Sequence, residues 1–158
     1  MKAIRVLFFL SSFICSSQSS MSLIFLGDIM GHGGQFEAAH DPENKSYNYN
    51  TVFSKIEEKI AEPDFAIANL EVTLAGEPFS GYPQFSSPDA LAKACIKSGI
   101  DILVTANNHS CDRGGKGITR TIEVLDELNI PHNGTYKNKN DRALRNLMIL
   151  RKDDMRIG

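Results

Sequence analysis

The chain has 158 residues, 42% of them hydrophobic and 23% charged, which supports a folded core and excludes a largely disordered chain. Its 17 basic and 19 acidic residues give a net charge of -2 with no block of like charge. That excludes a nucleic-acid footprint and a polybasic membrane patch.

Met1-Lys2-Ala3-Ile4-Arg5 is short and basic, and residues 6–14 are apolar but too few to span a bilayer. Ser16, Ser17, Ser19 and Ser20 follow, so residues 1–20 read as a signal peptide cleaved near Ser17 to Ser20. The expected location is therefore outside the cytoplasm: periplasmic, cell-surface or secreted. The competing readings are a buried N-terminal strand, an uncleaved anchor, or a lipid on Cys15, and bulky Ile14 argues against the last. Removal of the segment leaves a mildly acidic chain with two cysteines, Cys95 and Cys111, too few for a disulfide framework.

Residues 23–26 form a continuous apolar run ending at Gly27-Asp28, the pattern of a strand covered on both faces. Residues 31–50 are polar and turn-rich, a long loop of the kind that carries function. Residues 51–62 place Val52, Ile56 and Ile60 on one helical stripe, stopped by Pro63. A short strand over 65–68 leads to a second long loop, 73–87. Ser87-Pro88-Asp89 then supplies an N-cap, an N1 proline and a first-turn acid for a helix closed by Gly99. A third strand spans 100–104, and a helix over 115–128 buries Ile118, Ile122, Leu125 and Leu128 until Asn129 and Pro131 end it. Residues 147–150 are a candidate strand, followed by a turn at Lys152-Asp153-Asp154 and a further strand beginning at Arg156-Ile157. This alternation predicts a largely parallel sheet with flanking helices. A strand that only begins at the last residues predicts that residues 21–158 are the N-terminal part of a longer domain.

Ligands of open α/β sheets bind beyond the carboxyl ends of the strands. Three successive strand ends carry candidate groups: Gly27-Asp28, Asn69-Leu70-Glu71, and Asn107-Asn108-His109 with Asp112. Two carboxylates, an amide oxygen and imidazoles suit Mn, Fe, Zn or Mg better than a thiolate-seeking metal. Each group alone reads more simply as a turn residue or a solvated side chain, and only their recurrence at three strand ends favours a site. Asn44, Asn108 and Asn133 match the glycosylation pattern by chance, Cys111 reads as a loop thiol and Cys95 as core. Tyr47, Tyr49, Tyr82 and Phe85 either line a substrate groove or pack the two loops down.

Gly27-Asp28-Ile29-Met30, Asn69-Leu70-Glu71-Val72-Thr73 and Ala106-Asn107-Asn108-His109 with Asp112, in this order and spacing, resemble the CapA-type capsule and poly-γ-glutamate synthesis family. The resemblance implies an α/β fold with a calcineurin-like metallophosphoesterase-type sheet and flanking helices, C-terminally truncated here. It further implies Asp28, Glu71, Asn108 and His32 as ligands of a divalent metal ion and His109 as the catalytic histidine. Asn69, Asn107 and Asp112 would orient them. His32 follows Asp28 with three residues between them, a departure from the phosphoesterase pattern that puts its role in question, and the family's later histidine motif would lie beyond Gly158. The implied partners are an anionic envelope polymer or a phosphorylated substrate, with a C-terminal half or capsule-synthesis machinery completing the protein. The alternatives are a non-catalytic polymer-binding or assembly protein and an inactive fragment.

Overall fold

The computed structural model describes residues 19–158; residues 1–18 of the expected signal peptide lie outside them. The elements in chain order are β1 (Leu23–Ile29), α1 (Gly33–Ala39), β2 (His40–Asp41), β3 (Ser46–Tyr47), α2 (Glu57–Ala61), β4 (Phe65–Leu70) and α3 (Ala90–Lys97). They continue with β5 (Ile102–Val104), α4 (Gly114–Glu127), β6 (His132–Asn133), α5 (Lys139–Arg145), β7 (Leu150–Lys152) and β8 (Met155–Ile157). β1, β4, β5 and β6 form a parallel sheet in that order, with two separate hairpins, β2–β3 and β7–β8. The architecture is mixed α/β with a central parallel sheet and flanking helices, as the alternation predicts.

Strands laid down in chain order by crossovers of one hand receive their helices on one face. Burial follows that rule. Ala66, Ala68 and Leu70 of β4 and Leu103 of β5 are buried together with Ile60 of α2, Leu91, Ala94 and Cys95 of α3, and Val124 and Leu125 of α4. Each fully buried Leu or Ile here contributes roughly 1.5–3 kcal/mol of transfer free energy. The opposite face corrects the expectation of strands covered on both sides. Leu23, Phe25, Ile67, Ile102 and Val104 line an apolar groove of about 250 Å³, roofed in part by Met148, Leu150 and Ile157, and Phe25 stays 71% exposed.

Other expectations fail for identifiable reasons. The helix over 51–62 forms only at Glu57–Ala61, because the preceding residues turn so that Phe53 is buried in place of Val52 and Ile56. Ser87 does not cap α3: the N-cap is Asp89, and Ser87 is wholly buried with its hydroxyl unpartnered. Ile118 is half-buried, and small Gly117 and Thr121 take the inner positions of α4 in its place. The long polar loop 31–50 contains α1 and the β2–β3 hairpin, and α5 and β6 arise where only a helix end was expected. α5 is capped by Asn138, whose side-chain oxygen accepts from the N–H groups of Asn140 and Asp141. The strand begun at Arg156-Ile157 pairs antiparallel with β7, while residues 147–149 are not strand. Tyr49 and Phe85 pack as core, not groove, whereas Tyr82 is exposed. Cys95 is buried and Cys111 exposed, and neither is in a disulfide.

Candidate metal centre

A β-bulge places the first carboxylate. β1 and β4 pair residue for residue from Leu23↔Phe65 to Leu26↔Ala68, after which Asp28, not Gly27, pairs with Asn69. Side chains alternate faces along a strand, so strict alternation would turn Asp28 toward the helices. The extra residue at Gly27 reverses that, and Asp28 shares the open face with its partner Asn69. The Asn69 amide then donates to Asp28 Oδ1 and to Glu71 Oε2, both at 2.8 Å. Glu71 is held in line because its backbone N–H continues the pairing to Ile29 O at 3.0 Å.

The third strand end is tied to the second by Asn107. Its Nδ2 donates to Asn69 Oδ1 at 3.0 Å and to Leu70 O at 2.9 Å, while its Oδ1 accepts the His109 N–H at 3.0 Å. His109 Nδ1 lies 2.8 Å from Asp112 Oδ2, which also accepts the Phe85 N–H at 2.7 Å. A carboxylate oxygen only accepts, so His109 Nδ1 is the donor, and Nε2 has no hydrogen-bond partner among the described residues. Phe85 packs edge-on against both His109, at 4.6 Å between centroids, and His32, at 5.0 Å.

The structure thus brings Asp28, Asn69, Glu71, Asn107, His109 and Asp112 into one connected network. His32, the N-cap of α1, stands at its rim, exposed, with its backbone N–H bonded to the Gln35 side chain at 2.7 Å. Asn108 is exposed and makes no side-chain hydrogen bond among the described residues. Among the described residues no three His, Cys, Asp or Glu side chains converge as a metal cluster. The donor chemistry nonetheless fits a cation. Burial first, and then the hydrogen-bonded, like-charged Asp28 carboxylate, push the Glu71 carboxyl above its ordinary value. A divalent cation between the two would remove the like-charge conflict.

Three contributors escaped the motif reading. The sequence marks Phe85 only as a loop aromatic and does not signal its edge-on contact with the two imidazoles. Gly31 packs so closely that a Cβ there would sit 2.2 Å from Ser87 Oγ. The bulge is signalled only by the glycine of Gly27-Asp28.

The sequence of residues 22–158 matches the family described as bacterial capsule synthesis protein PGA_cap. The capsule biosynthesis protein CapA of Bacillus anthracis is 25% identical over 118 residues, 71% of this chain and 28% of that protein. Two uncharacterized proteins of Sinorhizobium fredii, y4sH and y4uA, are each 32% identical over 95 residues, 55% of this chain and 21% of theirs. The chain spans less than a third of the length of these curated relatives. With its parallel sheet and its strand-end motifs inside the matched span, the chain belongs to the bacterial capsule synthesis protein family.

Proposed function

We propose that this chain carries part of a divalent-metal-dependent, metallophosphoesterase-like hydrolase of capsule or poly-γ-glutamate biosynthesis, exported to the cell envelope. The observation that carries the reading is the Asp28–Asn69–Glu71 bridge, two carboxylates from adjacent strand ends held together on one face. Asp28 and Glu71 would hold the cation, with Asn108 and His32 at the rim available to complete its shell. A bound cation would act as a Lewis acid on a phosphoryl or acyl oxygen and lower the pKa of bound water. His109, oriented by Asp112, would carry a proton at Nε2 for the leaving oxygen. Asn107 fixes the His109 backbone, so the imidazole and the carboxylates keep one geometry. Export is supported by the basic and apolar leader and by the capsule family. No helix among the described residues is long and apolar enough to cross a membrane.

The test is to strip the full chain of metal, titrate Mn(II) or Zn(II), and follow hydrolysis of a chromogenic phosphoester. His109→Ala should keep bound metal and lose turnover. Absence of metal-dependent turnover, with polymer binding intact in stripped protein, would instead support the second reading, a non-catalytic binding or assembly protein. That reading is favoured by His32 and Asn108, which are exposed and stand outside the bonded network.

A further inference from the structure

We propose that Phe85 is a positioning residue of the centre, a buried ring that holds the His109 imidazole in one orientation and shields the His109–Asp112 hydrogen bond from water. Its consequence for turnover rests on the hydrolase reading, and its existence rests on the geometry around Phe85. Phe85 is wholly buried although it lies in the second long loop. Its ring meets the His109 imidazole at 4.6 Å between centroids and 83° between planes, and the His32 imidazole at 5.0 Å and 78°. Its backbone N–H donates at 2.7 Å to the same Asp112 Oδ2 that accepts from His109 Nδ1 at 2.8 Å. Phe85 therefore reaches His109 twice, once by its ring and once through the carboxylate.

The loop that carries the ring is tied down around this contact. The Phe85 carbonyl accepts from Thr73 Oγ1 at 2.6 Å and the Ser87 N–H donates to Thr73 O at 2.9 Å, which fastens the residue to the chain just past Glu71. Ser80 and Ser86 exchange backbone hydrogen bonds of 3.0 and 2.9 Å, closing the loop on itself. Arg113, next to Asp112, donates to Pro78 O at 2.8 Å and to Ser80 Oγ at 2.7 Å. Near the tip, Gly81 lies against the start of α1, where a Cβ would sit 2.9 Å from the Gly33 nitrogen. The ring is thus held from the second strand end, from the third motif and from α1 at once.

What such a ring does follows from the hydrogen bond it covers. The His109 and Asp112 side chains are only 14% and 11% exposed, although both lie in the connection between β5 and α4. A hydrogen bond to a charged acceptor is stronger away from water, and a water reaching Asp112 Oδ2 would compete with Nδ1 for it. Aromatic faces carry negative and edges positive charge, so the edge-on contact also favours one tilt of the imidazole. A flexible side chain of similar size fills the space without imposing that tilt. Plain core packing predicts something different, a loss of stability with no particular effect on His109.

The experiment is proton NMR of the metal-free full chain, following solvent exchange of the His109 Nδ1 proton, identified as the imidazole N–H resonance that His109→Ala removes. Phe85→Leu should speed that exchange about tenfold or more. Phe85→Met, which keeps more of the side-chain volume and so more of the fold, should do the same. Phe53→Leu, an equal truncation of a buried ring with no aromatic contact to either imidazole, should leave exchange within about twofold. In the metal-loaded chain, Phe85→Met should lower kcat for the chromogenic phosphoester about tenfold or more with KM little changed, since His109 acts in the transition state. A wild type without turnover removes the hydrolase reading and leaves the exchange rates to decide Phe85. Exchange within about twofold of wild type in Phe85→Met, an equal acceleration in Phe53→Leu, or no protected Nδ1 proton in the wild type overturns the proposal.

Discussion

Asp28→Asn separates a metal ligand from a merely structural carboxylate, because the two roles predict opposite signs in metal-free protein. Asp28 Oδ1 and Glu71 Oε2 each lie 2.8 Å from one amide nitrogen, so they stand within twice that distance of each other. Two like charges about 5 Å apart repel by ~0.8 kcal/mol in water and ~3 kcal/mol at an effective dielectric constant of ~20. Asp28 is exposed, which puts the pair near the lower figure. Asparagine is isosteric, and its Oδ1 still accepts from Asn69, so the bridge survives as a neutral hydrogen bond. Metal-free Asp28→Asn should therefore match the wild type or exceed it by up to ~1 kcal/mol, roughly 2–4 °C in Tm. Divalent metal should reverse the order. At about one hundred times Kd it would stabilise the wild type by ~2.7 kcal/mol and the variant hardly at all. Thermal unfolding followed by circular dichroism, with and without Mn(II), reads both effects. Destabilisation of the metal-free variant by more than ~1 kcal/mol, or an equal Mn(II) shift in both proteins, would refute the placement of Asp28 as a ligand.

Gly31→Ala should cost about 1–3 kcal/mol by overpacking, because its Cβ would sit 2.2 Å from Ser87 Oγ. Ser87→Ala in the same chain should restore most of that, since the new contact would then be to Ser87 Cβ at 3.4 Å; additive urea-denaturation losses would count against the clash. Asp126 is held below the carboxylate range first by Arg145, which donates to it at 2.7 and 3.2 Å, and then by His132. A depressed folded pKa contributes stability above the unfolded value of about 3.9 and loses it as pH falls below that. Asp126→Asn should therefore lower Tm near neutrality and flatten its fall below about pH 4, and a parallel acid limb in both proteins would disprove the pairing.

The strands and the two longer helices were legible because their signals are local. The apolar runs at 23–26, 65–68 and 100–104 are short and bounded by turn residues, and Gly99, at φ +95°, stops α3 where expected. What failed depended on packing partners distant in sequence. Val52, Ile56 and Ile60 share a helical period, yet only Ile60 enters the core, since Phe53 occupies the available space. Continuous apolar strands normally mean two covered faces. Here Phe25 stays 71% exposed, and no pattern within the strand distinguishes it from Ile24 or Leu26.

The candidate centre shows the same division at finer scale. The residue types at three strand ends were visible, and so was the rule that parallel strands bring those ends to one edge. Which face each side chain takes was not visible, because it turns on one unpaired residue. Without the bulge at Gly27, Asp28 would alternate onto the helix side with Leu26, away from Asn69 and Glu71. Asn69 would then bridge nothing, and Asn107 would tie the third strand end to a lone Glu71. The Gly-Asp pair is therefore best understood as one unit, the glycine supplying the register change and the aspartate the charge. The metal reading depends on both.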